Sequence, residues 1–436
     1  MRRSGCANGA RNGLPEGFKD LLPPLAGKKR AVETCFMEVF ARWGYREVAT
    51  PTLELQDASS AVGRGMDERT YRLIDRDGQV MALRPDMTAA VARLAASRVR
   101  PGDGPLRLCY SANVFRYEPR QTGRSRELFQ AGVELVGAAG PAADAEVVAV
   151  AVECLEAVGL EDFKVGVGHL GLVQGILDEL ELEGESRGTL AAALARRDLV
   201  EVEAKLSALG LEGPAREALL EAATLRNGQE AVSHLGGMLR GDRAREALGW
   251  LGELFETLDC LGSGGRIYLD LGVVRDLDYY TGVVFELLVP GLGYPVGGGG
   301  RYDGLAGRYG QALPATGFAI GTSEVLEVLA RRGASPGRPA WSDAPDYYVA
   351  PEVADPGALR RAAEVARRLR GQGFRVEMDL ERRGVGREAV VERARRSGAA
   401  AAMLVGPGGC REVPLGGRLP RPRVRPPEAI PNCSIH

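Results

Sequence analysis

The segment NVFRYEPRQTGRSRELFQAGVELVG, from Asn113 to Gly137, constrains this chain most, because two strand-like runs flank an arginine-rich connection in the pattern of an antiparallel hairpin. Other strand patterns stand at Arg72 to Ile74, Val80 to Leu83, Leu106 to Phe115 and Gly132 to Val136, separated by turn signals such as Asp77-Gly78. The hairpin thus belongs to an antiparallel sheet. Helical periodicity from Lys29 to Trp43, ended by Gly44, sets a helix beside it. The stretch YREVATPTLE alternates like one strand around Pro51, and a proline within a strand marks an edge or an interface.

From about Glu181 to Leu261 the pattern becomes helical, and strands return at Arg266 to Val274 and Val283 to Val289. This reads as a helical insertion (181–261) within one larger domain (14–330). Residues 331–345, RRGASPGRPAWSDAP, have linker composition. A small α/β domain (346–417) follows, in the order strand (Tyr347 to Ala350), helix (Pro356 to Arg370), strand (Phe374 to Met378), helix (Arg387 to Ser397), strand (Ala401 to Val405), with parallel pairing. Residues 1–13 read as disordered, and 418–436 form a proline- and arginine-rich tail.

Composition narrows the function. A hydrophobic fraction of 45% can build real cores, whereas a formal net charge of -2 exerts no global pull on nucleic acid or anionic membrane. Seven cysteines stand singly beside only three histidines, which argues against a zinc site or a disulfide frame. No apolar run is long enough to cross a bilayer, so no membrane role, no metal and no cofactor are expected, and the cytoplasm is the default location.

Four stretches carry polar groups fit for chemistry. The hairpin connection bears Arg116, Arg120, Arg124 and Arg126, which either hold an anion or are solvated. In ALRPDMTAAVARLAAS, Asp86 or Thr88 can cap the helix that opens there. In DLGVVRDLDYYTGVVFELL, Arg275, Asp278, Tyr279 and Tyr280 fall at a break between strands, lining a pocket or packing as a turn. In GYPVGGGGRYDGL, four consecutive glycines let the backbone approach a ligand or turn sharply.

These stretches together resemble the class II aminoacyl-tRNA synthetase fold, in its histidyl-tRNA synthetase branch, over about Leu14 to Leu329. The resemblance rests on the interface strand ending at Pro51, FRYE, QAGVE, RDLDYYTGVVFE and GGGRYDGL, in the family's order. It implies an α+β fold: an antiparallel sheet with flanking helices, and a C-terminal domain resembling an anticodon-binding domain. It also implies an amino-acid pocket at Asp86, Thr88, Arg116, Gln130, Glu134, Arg275, Tyr279 and Tyr280. Free histidine suits those groups, since carboxylates meet its ammonium, Arg275 its carboxylate, and Glu134 or the tyrosine hydroxyls its imidazole.

Three departures point away from aminoacylation. The family's last motif brings an arginine to a helix start, where this chain reads TGFAIGTSEVLEVLA and places Glu324. Reversing that sign changes the interaction with a phosphate by several kcal/mol, since one pair near 4 Å is worth about 4 kcal/mol at an effective dielectric of about 20. Asp276 replaces the glycine usual after the conserved arginine, and RPDMT replaces the usual RPEGT. The chain therefore resembles the histidyl-tRNA synthetase-like regulatory subunits of ATP phosphoribosyltransferase. That resemblance implies a homodimer within a hetero-octamer, a short-form catalytic subunit as partner, free histidine as effector, and no catalytic residues in this chain. An active histidyl-tRNA synthetase and a free-standing histidine sensor are the rival readings.

Overall fold

The computed structural model describes residues 13–56, 64–98, 104–117, 125–222, 225, 228–273, 279–334, 344–353, 355, 357–380 and 386–416. Arg120, Arg124, Arg275, Asp276 and Asp278 lie outside these residues, as do residues 1–12, most of the expected linker and the tail. Two compact units are present, 1–340 and 341–436.

In the first unit, α1 (Leu25–Arg42) leads to β1 (Arg46–Glu47) and then to a small antiparallel sheet of β2 (Leu53–Leu55), β3 (Arg72–Ile74) and β4 (Val80–Leu83). The stretch around Pro51 is therefore two strands in two sheets. Proline lacks the N–H that a continuous ladder needs, and the buried Arg84 guanidinium donates to the Thr50 carbonyl just before it at 2.8 Å. Helix α2 (Thr88–Arg98) precedes the hairpin of β5 (Leu106–Phe115) and β6 (Glu127–Val136), which α3 (Pro141–Ala157) and β7 (Lys164–His169) follow.

Helices α4 (Leu170–Glu179), α5 (Gly184–Ala195), α6 (Leu199–Ala208), α7 (Pro214–Ala222), α8 (Gly228–Met238) and α9 (Asp242–Cys260) form the helical region. Then come β8 (Ile267–Leu269), β9 (Val283–Leu288), β10 (Gly297–Arg301), β11 (Ala315–Gly321) and α10 (Thr322–Arg331). The large sheet has the order β1-β5-β6-β11-β10-β9-β7-β8. Its centre is antiparallel as expected, but β1 with β5 and β7 with β8 run parallel, so the sheet is mixed. Parallel neighbours need a long crossover, and the helical region provides one between β7 and β8.

The glycine run differs most from its reading. Gly297 to Gly300 form most of β10, a central strand paired with both β9 and β11. A Cβ on Gly299 would overlap the Gly317 carbonyl, and one on Gly300 would meet the Tyr280 ring at 2.9 Å. These glycines form a strand rather than a turn, and they make room for neighbouring protein groups.

One face of the sheet is covered by α1 and α3. Val32, Phe36, Val39 and Phe40 recur at helical spacing and are fully buried, with Phe40 edge-on to Phe318 of β11 at 6.1 Å between centroids. Each such side chain contributes roughly 1.5–3 kcal/mol by burial. The second unit holds a sheet of order β13-β12-β14-β15, from β12 (Tyr347–Pro351), β13 (Val376–Met378), β14 (Ala401–Gly406) and β15 (Gly409–Pro414), with α11 (Ala358–Gly371) and α12 (Arg387–Arg396). β12 pairs in parallel with β13 and β14, and β15 adds an antiparallel edge.

Candidate ligand-binding site

Glu134 on β6 is wholly buried and organises the site. Its carboxyl accepts from the Thr88 hydroxyl at 2.8 Å, from Tyr110 at 3.4 Å, and closely from Tyr302. Across the β6–β11 ladder it faces Gly317, where any Cβ would overlap the carboxylate. Burial pushes the Glu134 carboxyl up to about 8, and the charge of Asp86 adds to the rise, against the hydroxyl donors that favour ionisation.

Asp86 lies beside it, nearly buried. Its Oδ1 accepts from the Ala89 N–H at 3.2 Å and its Oδ2 from the Tyr279 hydroxyl at 3.4 Å. Asp86 is thus the residue that caps α2, while Thr88 turns its hydroxyl to Glu134. Burial raises the Asp86 carboxyl above its ordinary value; the Ala89 N–H and the charge of Arg116 oppose it. The Tyr279 ring meets Tyr280 at 4.9 Å and Tyr302 at 5.8 Å. Arg116 donates from Nε to the Pro85 carbonyl at 2.8 Å. Gln130 shares the Glu134 face of β6, four residues away, and pairs with Gly321 of β11.

Of the eight residues singled out in the sequence, Asp86, Thr88, Glu134 and Tyr279 join in one hydrogen-bonded cluster, with the Tyr280 ring tilted against Tyr279 and Arg116 bonded to the Pro85 carbonyl beside it. Gln130 stands further along β6, and Arg275 lies outside the described residues. Sequence reasoning missed Tyr110 and Tyr302. Tyr302 stood in a quoted motif, directly after the glycine strand; Tyr110 could have been found from the hairpin register, where it faces Gly132. A Cβ at Gly132 would meet the Tyr110 hydroxyl at 2.6 Å.

Glu324 occupies the first turn of α10. Burial raises its carboxyl, while its own backbone N–H and the charges of Arg116 and Lys19 lower it. A carboxyl thus stands at the helix start within reach of the Arg116 charge, which also acts on Asp86 in the cluster of two buried carboxyls and three tyrosine hydroxyls. That set of groups is suited to a cationic, hydrogen-donating ligand and poorly suited to a polyphosphate.

Comparison with known proteins places this arrangement. Residues 17–325 match the family model described as histidyl-tRNA synthetase. The ATP phosphoribosyltransferase regulatory subunit of Moorella thermoacetica is 45% identical over 85% of this chain and 92% of its own length. That of Symbiobacterium thermophilum is 42% identical over 91% of this chain and 97% of its own. A crystal structure of an ATP phosphoribosyltransferase regulatory subunit/histidyl-tRNA synthetase from Bacillus halodurans C aligns with a TM-score of 0.77 and 29% identity, covering 92% of this chain and 99% of the other. With identities this high along nearly whole chains, the protein belongs to the ATP phosphoribosyltransferase regulatory subunits, built on the histidyl-tRNA synthetase fold.

Proposed function

We propose that this chain performs no phosphoribosyl transfer or aminoacylation and instead activates a short-form ATP phosphoribosyltransferase catalytic subunit, making it sensitive to histidine at the first step of histidine biosynthesis. The observation that carries the reading is the pairing of a buried Glu134–Asp86–tyrosine cluster with a carboxylate, Glu324, in the first turn of α10. The first suits the ammonium and imidazole of histidine; the second repels the phosphates that adenylate formation would require. Arg275 is proposed to hold the ligand's carboxylate. Regulation follows from linkage: histidine favouring one conformation of a cytoplasmic hetero-octamer, built around a dimer of this chain, shifts the assembly toward an inhibited state.

The test is product formation by the short catalytic subunit with and without this chain, and with and without histidine. Activity that depends on this chain and falls with histidine supports the proposal. Histidyl-adenylate made by the chain alone would overturn it. Glu134→Ala should weaken histidine inhibition while assembly stays intact; unchanged inhibition would put the effector elsewhere.

A further inference from the structure

We propose that Arg197 is a positioning residue for the ligand pocket, clamping together the two strands between which Tyr279 and Tyr280 enter it. Arg197 belongs to the helical region, in the turn between α5 and α6. Its backbone is left-handed, with φ of 55°, a conformation that non-glycine residues adopt only where their surroundings hold them in it. The guanidinium reaches the large sheet, donating from Nε to Asp270 Oδ2 at 3.0 Å and from Nη2 to Glu286 Oε2 at 2.7 Å.

These carboxylates flank the pocket segment. Asp270 directly follows β8, and its Oδ1 accepts from the Gly272 N–H at 2.8 Å, fixing the chain as it leaves the strand. Glu286 lies in β9, just after Tyr279 and Tyr280. The strands β8 and β9 share no ladder, because β7 separates them in the sheet. At the crossing β7 offers Gly166, paired with Tyr268 on one side and Glu286 on the other.

The socket is shaped for this contact. A Cβ on Gly166 would meet Asp270 Oδ2 at 3.0 Å, and one on Gly272 would meet Arg197 Cγ at 2.7 Å. The Asp270 and Glu286 side chains keep only 10% and 12% of their exposure. Without the guanidinium, two largely buried carboxylates would face one another and drive the stems apart. Tyr279, whose hydroxyl donates to Asp86, would move with them.

The inference deepens the proposed histidine reading, and the test separates the two. Hydrogen exchange of the ligand-free full chain is compared for wild type, R197M, R197K and the control R107M, which removes a comparable ion pair to Glu146 elsewhere. Amides from Tyr279 to Leu288 should exchange about tenfold faster in R197M, unchanged in R107M, and between the two in R197K, which keeps the charge but loses the fork. Histidine affinity should fall about tenfold in R197M by calorimetry. Wild-type exchange in folded R197M would overturn the clamp. Should R197M fail to fold, R197K is judged the same way. A wild-type chain that ignores histidine would sink the proposed function and leave the exchange comparison decisive.

Discussion

Glu134 holds its proton at neutral pH because burial lifts its carboxyl to about 8. A folded value above the unfolded one means that the native state binds the extra proton between the ordinary carboxylate range and about 8. This contribution to stability is full below that range and is lost as pH rises through about 8. Glu134→Gln, neutral at every pH, should flatten the fall in melting temperature between the ordinary carboxylate range and about pH 8; an unaltered slope would assign the fall to another group. Histidine binding should also release a proton if the carboxylate forms against the ligand, so calorimetry in two buffers of different ionisation enthalpy should give different apparent enthalpies in wild type and equal ones in E134Q. At this scale Asp86, Thr88, Glu134 and Tyr279 were legible through motif resemblance. Tyr110 and Tyr302 were not, because only strand register brings their hydroxyls to one carboxyl.

Among the elements, the short apolar runs bounded by turn signals were read well: β3, β4 and β5 fall at the residues their patterns mark. β10 was missed because four glycines offer no alternation, and glycine in isolation signals a turn. What makes it a strand is the bulk of its neighbours. Gly299→Ala and Gly317→Ala should each destabilise the protein by more than about 2 kcal/mol in denaturant titration, since one meets a backbone carbonyl and the other the Glu134 carboxylate. A loss within 0.5 kcal/mol, the scatter of surface changes, would mean that the strands part easily. The parallel edges were equally hidden, because pairing across a long insertion leaves no local trace in either strand.

At the scale of the whole molecule, the hydrophobic clusters sort by unit: those around α1, α3 and the large sheet lie within 1–340, and those on either face of the small sheet lie within 341–436. A chain ended at Gly333 should therefore melt cooperatively and keep its histidine affinity, checked by circular dichroism and calorimetry. Loss of both would tie the first fold to the second. Sheet order also sets a timetable for synthesis. β6 gains β5 at once as its hairpin partner, yet its other edge is met by β11, which leaves the ribosome only after the entire helical region. Until then the strand bearing Glu134 lacks its second ladder, and an open strand edge of that kind is what other chains pair with when synthesis is slow.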